Sequence, residues 1–355
     1  MKLYYNQSYG NEHLKRNIQM FSAIGIDCYP FTRFPKDLLF KKASFLYLNW
    51  YENIGSRNGL VALFSFLMRI AALLLCKIRG IKIVSSFHNR EIHGNKYARL
   101  CFLTAKIIYK FSDKIVVFSK DAGRDLDLYL PNEQIEIKQY YIPPVNYIGV
   151  YPFVENVEIQ SLKKKGYLTV LMIGGMKESY KNVALMIKVM NELKDKHIQL
   201  IIAGKTRGDS QNKDYRALID KDANVQTIFR FIKDDEMAQF LAIADVVAVP
   251  YELDSVSNSG VSRLAFSYAK TVISPQIPSI KDIPSELIYT YHYTSKEEHF
   301  PILLQRLLDV YAIYRKAPER LKQQGQALKE YMEFNNSPEV IVQRYKTMFS
   351  GLKKQ

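Results

Sequence analysis

Residues 244–274 decide the fold, and their sequence is ADVVAVPYELDSVSNSGVSRLAFSYAKTVIS. Its two valine-rich and isoleucine-rich runs, 246–249 and 271–274, predict buried strands. Between them, the cluster Ser257-Asn-Ser-Gly260 predicts a helix start, because its side chains can accept hydrogen bonds from the first free N–H groups. A helix that begins after a strand end, with a glycine that lets the backbone approach a ligand, is suited to hold a phosphate. An ordinary N-cap between a strand and a helix is the alternative.

The rest of the chain repeats this alternation of strands and helices. Regular alternation predicts parallel sheets covered by helices on both faces, so the fold class is α/β. The pattern stops between 142 and 154, where four prolines and glycines stand close together, and this stretch is the predicted domain boundary. We expect two Rossmann-like domains, 1–150 and 151–335, which face each other across a cleft, and a C-terminal helix at 336–355 that packs back on the first domain. The predicted strands are 2–5, 44–48, 82–86, 114–118, 168–173, 198–203 and 225–231.

Composition limits the location of the protein. The chain has 355 residues, of which 48% are apolar, and three cysteines without a CxxC pair, which argues against a disulfide framework or a structural zinc site. The amino terminus lacks the pattern of a secretory signal, so a cytoplasmic protein is predicted. The apolar run 60–76 is close to the length of a membrane span. Arg69 interrupts it, which favours a buried or membrane-touching helix over a span.

The net charge of +15 requires an anionic partner or an explanation. Most of the excess lies in the first 150 residues, which favours attraction to an anionic surface. An anionic membrane leaflet and a phosphate-containing substrate explain this asymmetry equally well. Nucleic acid is disfavoured, because the basic residues are scattered and form no recognised binding motif. A basic surface that only solvent contacts is the remaining alternative.

Four segments, in order along the chain, resemble motifs of a known family. They are Lys82-Ile-Val-Ser-Ser-Phe-His-Asn89, Ile142-Pro-Pro-Val-Asn-Tyr-Ile-Gly-Val-Tyr-Pro152, Met172-Ile-Gly-Gly-Met-Lys-Glu-Ser-Tyr-Lys-Asn182 and the opening stretch from Ala244. In these segments the chain is similar to the glycosyltransferases of the GT-B fold, and among them to the large family of retaining nucleotide-sugar transferases. The resemblance implies transfer of a sugar from a nucleoside diphosphate sugar to an acceptor, without a metal ion and without a cofactor.

The sequence departs from the family pattern in three places. The family usually has an arginine after the first glycine of the donor-domain turn, and here Gly175 stands at that position. A pair of glutamates that contacts the sugar and ribose in many members falls on Val256 and Leu264. The glycine at the end of the following helix becomes Ala269. These changes do not affect the fold prediction. They predict that the residues that contact the donor differ from those of most family members.

The second domain is predicted to bind the donor. Without a metal, cations and helix N-terminal amides must neutralise the diphosphate. Lys181 is the first candidate cation, with Arg263 and Lys205 behind it, and the nucleobase is expected at the strand end that includes Phe231 and Ile232. The alternatives are that Lys181 is an ordinary solvated lysine and that the strand is a plain core strand. The full predicted donor set is Gly174, Gly175, Lys181, Lys205, Phe231, Ile232, Tyr251, Ser257, Asn258, Ser259, Gly260 and Arg263.

The first domain is predicted to contact the acceptor and to carry the acid and base residues. A histidine at the carboxyl end of a strand, His88, can contact the donor sugar or assist the acceptor hydroxyl. Glu52 and Glu91 are the candidate carboxylates that could orient or deprotonate that hydroxyl. Acceptor-side contacts are expected from Asn6, Gly10, Asn89 and His93. A base would be required by an inverting reaction and is less clearly needed by a retaining one, so the stereochemistry stays open.

Three functions follow from these features. The first is a glycosyltransferase that acts on a lipid-linked saccharide acceptor in polysaccharide or glycolipid biosynthesis, with a UDP- or GDP-sugar as donor, on the inner face of the plasma membrane. The second is a degenerate protein of the same fold that binds nucleotide sugars without catalysis. The third is a nucleotide-sugar epimerase on a similar scaffold, which the missing glutamate pair disfavours.

Overall fold

The chain folds into two compact units in the structure, a computed structural model. It describes residues 1–6, 12–31, 43–55, 58–88, 96–253 and 256–354. Unit 1 comprises Met1–Val145 and Asn336–Gln355, and unit 2 comprises Asn146–Asn335. The boundary therefore lies five residues before the predicted position of 150. Four predicted site residues, Gly10, Asn89, Glu91 and His93, lie outside the described residues.

Unit 1 is built on a parallel sheet of six strands in the order β2-β1-β3-β4-β5-β6. Its strands are β1 (Lys2–Asn6), β2 (Asp27–Phe31), β3 (Phe45–Asn49), β4 (Lys82–Phe87), β5 (Lys114–Val117) and β6 (Gln139–Tyr141). The central strands β3 and β4 are almost wholly buried, as their continuous apolar runs predict. The sequence pattern missed β2, whose Pro30 is tolerated because the strand lies at the edge of the sheet.

Helices described between the strands of this sheet or after them are α1 (Glu12–Ala23), α2 (Gly59–Ile78), α3 (Ala98–Phe111) and α4 (Asn132–Lys138). Asn58 caps α2 by accepting a hydrogen bond from the Leu60 amide at 2.9 Å. The segment Lys120–Leu128, expected to be an α-helix, is a 3₁₀ helix. Helices α2 and α3 pack against each other.

Unit 2 also has six parallel strands, in the order β12-β11-β10-β7-β8-β9. They are β7 (Leu168–Ile173), β8 (Ile198–Ala203), β9 (Val225–Ile228), β10 (Val246–Ala248), β11 (Thr271–Pro275) and β12 (Tyr289–Tyr291). The opening stretch thus supplies two neighbouring strands, in register from Val246 opposite Thr271. β9 ends at Ile228, three residues before the predicted end, and β12 was not anticipated.

The helices of unit 2 alternate with its strands and then continue to the end of the unit. They are α5 (Val157–Ser161), α6 (Val183–Glu192), α7 (Asp209–Ala217), α8 (Asp234–Ile243), α9 (Gly260–Ser267), α10 (Pro278–Lys281), α11 (Lys296–Lys316) and α12 (Glu319–Asn336). Buried side chains from both faces of the sheet form two apolar clusters. Packing in these clusters fixes the positions of the strand ends at which the candidate donor site lies.

The last helix, α13 (Pro338–Lys354), belongs to unit 1. Its Tyr345 and Phe349 are buried and contact Phe21 of α1 edge to face, with ring centroids 4.8 and 5.4 Å apart. Such aromatic pairs stabilise a core beyond the area that they bury. The chain therefore returns to its first unit after completing the second.

Ala269, which stands where related sequences have glycine, adopts a left-handed backbone conformation with φ of +56°. This residue follows α9, where a left-handed C′ residue satisfies the last carbonyl groups of a helix. Its carbonyl lies against Gly325 of α12, where an added Cβ would be only 2.0 Å from the Ala269 oxygen. A side chain in this conformation costs about 1–2 kcal/mol.

Replacing Ala269 by glycine is expected to stabilise unit 2. The strain relieved exceeds the extra unfolded-state entropy of glycine, so the free energy of unfolding should rise by about 0.5–1 kcal/mol. Ala242→Gly, at an exposed position of α8, is the matched control and should lower it by about 0.5–1 kcal/mol. Denaturant unfolding measures both, and a loss of stability in Ala269→Gly would contradict the assignment of strain.

Candidate active site

Unit 2 has a pocket of about 270 Å³ where β7 and β10 end and α9 begins. Its lining includes five residues of the predicted donor set, which are Lys181, Tyr251, Asn258, Ser259 and Gly260. The carboxyl ends of parallel strands are where open α/β sheets bind ligands. The structure therefore brings together residues from sequence positions about 80 apart in one concave site.

Lys181 is the cation of this pocket. It lies at the end of a short 3₁₀ turn, Ser179–Lys181, and the next residue, Asn182, ties that turn to the end of β10 through an Nδ2 hydrogen bond to the Pro250 carbonyl at 2.8 Å. The Lys181 ammonium is 5.8 Å from the centroid of the Tyr251 ring. Burial lowers the pKa of Lys181 to about 8, an effect that the nearby Glu178 carboxylate partly offsets. Lys181 is half-buried and lines the pocket, so it is a partly desolvated cation that an incoming phosphate would stabilise.

Two glycines allow the strand ends to approach each other beside Lys181. Gly174 has φ of +106°, and a Cβ there would lie 3.4 Å from Val261 Cγ2 and 3.9 Å from Lys181 Nζ. At Gly204 an added Cβ would be 1.6 Å from the Gly174 carbonyl oxygen, so only glycine fits. Gly175 has open space at its Cβ position. The predicted Gly174-Gly175 turn is not part of the lining, but Gly174 lies next to Lys181 and Val261, which are.

The start of α9 points amide groups at the pocket, but two serine hydroxyls are already engaged or buried. Ser259 Oγ accepts hydrogen bonds from the Ser262 amide at 3.0 Å and the Ser262 hydroxyl at 2.8 Å, and it also bonds the Tyr251 hydroxyl. Ser257 is 1% exposed. Ser259 is therefore the N-cap of α9, and its hydroxyl is engaged within the unit. As at every helix start, the first amides, of Gly260 and Val261, have no acceptor within the helix.

Tyrosines form a wall of the pocket that the sequence analysis did not predict. Tyr147, Tyr151 and Tyr180 line it beside the predicted Tyr251. The rings of Tyr147 and Tyr151 stack with centroids 6.2 Å apart, and the Tyr151 amide donates to the Tyr268 hydroxyl at 2.7 Å. The tyrosine-rich stretch at 142–154 was the available signal. In the sequence analysis this stretch was interpreted as a domain boundary and not as part of a binding site.

The two positions at which the family resemblance implies glutamates are apolar and buried. Val256 and Leu264 are 5% and 8% exposed and belong to one apolar cluster of unit 2, and Leu264 also lines the pocket. The remaining donor candidates stand apart from the lining. Arg263 lies over the Tyr147 ring at 5.7 Å, Lys205 is exposed, and its carbonyl accepts from the Met176 amide at 2.8 Å. Phe231 is largely exposed, whereas Ile232 is buried in the core.

In unit 1 the strand ends gather a polar and aromatic cluster around His88. The Asn6 and Asn49 pair is reciprocal: Asn6 Nδ2 donates to the Asn49 carbonyl, and the Asn49 amide donates to Asn6 Oδ1, each at 2.7 Å. His88 Nε2 forms a short hydrogen bond with Asn49 Oδ1. Trp50 stacks on the His88 ring with centroids 3.6 Å apart, and the ring of Phe118 lies 4.9 Å away. Among the described residues, this cluster brings together Asn6 and His88 of the predicted set.

Trp50 adopts a left-handed conformation with φ of +52°, which is unusual for a bulky residue. Strain of this kind is concentrated at functional sites, where the surrounding structure enforces it. His13 of α1 completes the cluster, with its ring 5.6 Å from that of His88 and a contact to Asn17 at 3.2 Å. Neither Trp50 nor His13 was predicted, because the strand pattern does not show which way the residue after a strand turns.

Glu52 does not join this cluster through any described contact. It is 9% exposed, and its electrostatic partners, Arg69, Tyr109 and Cys101, lie on α2 and α3. Burial raises the pKa of Glu52 to about 7, although the Arg69 guanidinium lowers it in part. The prediction that Glu52 is the acceptor base is therefore not supported, because the side chain is enclosed beneath two helices.

The Glu52 carboxyl makes the stability of unit 1 depend on pH. Its pKa is higher in the folded chain than in the unfolded chain, so its favourable contribution is complete below pH about 4.5 and is lost as the pH rises through about 7. Glu52→Gln should therefore match the wild type near pH 5 and exceed its unfolding free energy by about 1–3 kcal/mol above pH 8. Denaturant unfolding as a function of pH measures this. Equal stability of both proteins above pH 8 would show that the carboxylate is solvated.

Comparisons with known proteins agree with these two units. Residues 167–293 match the family described as Glycosyl transferases group 1. Sucrose-phosphate synthase from Thermosynechococcus elongatus superposes with a TM-score of 0.73 at 13% identity, covering 100% of this chain and 99% of that one. The Anabaena protein Alr3699/HepE in complex with UDP superposes with a TM-score of 0.69 at 13% identity, covering 99% of both chains.

A relative of known activity matches a shorter stretch. The GDP-mannose:glycolipid 4-beta-D-mannosyltransferase of Xanthomonas campestris pv. campestris is 24% identical over 135 residues. That alignment covers 38% of this chain and 38% of the relative.

Two parallel six-stranded sheets in separate Rossmann-like units define a GT-B protein. The GT-B fold expected from the motifs is therefore present, and the stretch 167–293 of unit 2 is similar to the Glycosyl transferases group 1 family, in agreement with the resemblance. The family match begins at β7 and ends just after β12, so it contains the sheet and the start of α9.

Proposed function

We propose that the protein is a glycosyltransferase that binds a nucleoside diphosphate sugar in the pocket of unit 2 and transfers the sugar to a saccharide acceptor. The observation that carries the proposal is the burial of Lys181 beside the start of α9. A desolvated ammonium and free helix amides are the two groups that neutralise a diphosphate without a metal ion. Both line one pocket within the segment that matches the glycosyltransferase family.

In this mechanism unit 2 stabilises the leaving group. As the bond between the anomeric carbon and the phosphate oxygen breaks, negative charge grows on the diphosphate, and preorganised donors stabilise that charge. Lys181 supplies the positive charge, while the Gly260 and Val261 amides supply hydrogen bonds. The tyrosine wall limits access of water. Metal independence is part of the proposal, and full activity in the presence of a chelator would support it.

Unit 1 supplies the acceptor side of the proposed reaction. The bond between His88 Nε2 and Asn49 Oδ1 fixes the imidazole at the carboxyl end of β4, where it is the group proposed to contact the acceptor. The Trp50 ring beside it adds an apolar surface of the kind on which sugar rings pack. A lipid-linked saccharide acceptor, and a place in polysaccharide or glycolipid biosynthesis, extend the proposal. They are supported by the glycolipid acceptor that the name of the Xanthomonas relative records.

Binding of UDP or GDP should depend on the protonation of Lys181. At about pH 7.5, Lys181→Met should weaken the binding by tenfold or more, since a charge-assisted hydrogen bond to phosphate is lost. In the wild type, affinity should fall roughly fivefold to tenfold between about pH 7.5 and pH 9, because the free ammonium deprotonates near pH 8.

Lys181→Arg is the matched control for this titration, since arginine stays charged across the range. Its affinity should change little between the two pH values when calorimetry measures both proteins. Equal pH dependence in the wild type and in Lys181→Arg would contradict the role of the lysine.

Removal of the His88 imidazole should impair transfer without affecting donor binding. His88→Ala should lower turnover of UDP- or GDP-sugars by about a hundredfold, since it removes a group that contacts the acceptor. The thermal shift caused by the nucleotide should remain, because donor binding lies in unit 2. His197→Ala, at an exposed histidine of unit 2, is the control and should leave both unchanged.

The degenerate alternative has one observation in its favour, which is the burial of apolar Val256 and Leu264 where relatives have glutamates. The same assay separates the two functions. A nucleotide-induced thermal shift together with no turnover of any UDP- or GDP-sugar would favour a binding protein.

A further inference from the structure

One helix of unit 1 exposes an uninterrupted apolar stripe to solvent. Among the described residues, α2 is the helix that is long and apolar enough to cross a membrane by length and composition. Only 28% of its most apolar window is buried. The stripe follows the helix repeat over about 30 Å and consists of Leu60, Leu63, Phe64, Leu67, Ala71, Leu74 and Ile78.

The apolar side chains of this stripe are more exposed to solvent than is usual on the surface of a soluble protein. Phe64 is 63% exposed, and Leu60 and Ile78 at the two ends are 78% and 83% exposed. The neighbouring helix α3 extends this surface with Phe102 and Leu103, which are also exposed. Contiguous apolar patches of this kind mark a membrane or protein contact.

The opposite face of α2 is fixed to unit 1. Ala62, Phe66, Ala72, Leu73 and Cys76 are buried on that face. Arg69 donates to the Asn53 carbonyl at 3.0 Å and lies 5.0 Å over the Tyr51 ring. Lys77 pairs with Asp113 at 3.0 Å. A spanning orientation would break all of these contacts and would place Arg69 within the hydrocarbon.

The charged residues of α2 and α3 are all basic. Neither α2 nor α3 contains an aspartate or a glutamate. The exposed charged residues of α3, which are Arg99, Lys106 and Lys110, alternate with the exposed Phe102 and Leu103 along the helix. An apolar stripe bordered by basic residues is the pattern of helices that lie in the interface of an anionic bilayer.

We propose that α2 and α3 form an in-plane membrane-binding surface, with the stripe of α2 and the exposed side chains Phe102 and Leu103 inserted among the acyl chains of an anionic leaflet. Arg99, Lys106 and Lys110 contact the lipid headgroups. The surface lies in unit 1 and does not depend on the donor pocket, so it stands or falls separately from the proposed function. It would bring a glycosyltransferase to lipid-linked acceptors.

Vesicle co-sedimentation tests the surface directly. Full-length protein should bind vesicles of phosphatidylcholine and phosphatidylglycerol in equal parts, and bind pure phosphatidylcholine more weakly. Phe64→Ser with Leu67→Ser should reduce binding to the mixed vesicles by at least about tenfold. The control Phe334→Ser, at an exposed apolar residue of unit 2, should bind as the wild type does.

Separate variants test the basic residues of α3. Lys106→Gln with Lys110→Gln should remove most of the preference for anionic vesicles, and added salt should do the same to the wild type. Lys165→Gln with Lys188→Gln, at exposed lysines of unit 2, should retain the preference. The UDP or GDP thermal shift is recorded for every variant, so a lost donor site is distinguished from a lost membrane surface.

Three results would overturn the inference. Absence of wild-type binding to mixed vesicles would exclude a membrane surface. A dimer that the stripe variants convert to monomers, with vesicle binding unchanged, would assign the stripe to a second copy of the chain. Protein that resists carbonate extraction from cell membranes would indicate a span, whereas an in-plane surface predicts release.

Discussion

The partly desolvated ammonium of Lys181 is the group on which the proposed donor site depends. Removing a cation from water is costly, and the site recovers part of that cost through the Tyr251 ring and the field of Glu178. Among the described residues, no carboxylate forms an ion pair with it. The free protein thus holds a charge that is incompletely neutralised, and a diphosphate supplies the missing negative charge. In the proposed mechanism, Lys181 contributes both to donor affinity and to stabilisation of the transition state.

The arrangement of the strands makes this burial possible. Gly174 and Gly204 let the ends of β7 and β8 approach each other, Asn182 fixes the lysine turn to the end of β10, and Ser259 caps α9 so that its first amides face the pocket. The absence of the glutamate pair fits this design. Val256 and Leu264 pack into the core rather than adding carboxylates near a diphosphate.

Much of this fold could be predicted from the sequence, because buried parallel strands such as 168–173 and 198–203 are continuous apolar runs. The short strand β12 and the proline-containing β2 carry too weak a pattern. Lys181 was expected because the family resemblance implies a lysine several residues after the Gly174 turn, while Tyr147, Tyr151 and Tyr180 were missed because tertiary packing brings them together. The surroundings of Glu52 could not be predicted, since alternation locates the end of β3 but does not show that a side chain three residues later lies among residues of α2 and α3.

A crystal structure of the protein with UDP or GDP bound is the most direct test of the account. The account predicts the diphosphate within hydrogen-bonding distance of Lys181 Nζ and of the Gly260 or Val261 amide, with the tyrosine wall around the donor. A diphosphate bound elsewhere, with Lys181 still enclosed against Tyr251, would contradict it.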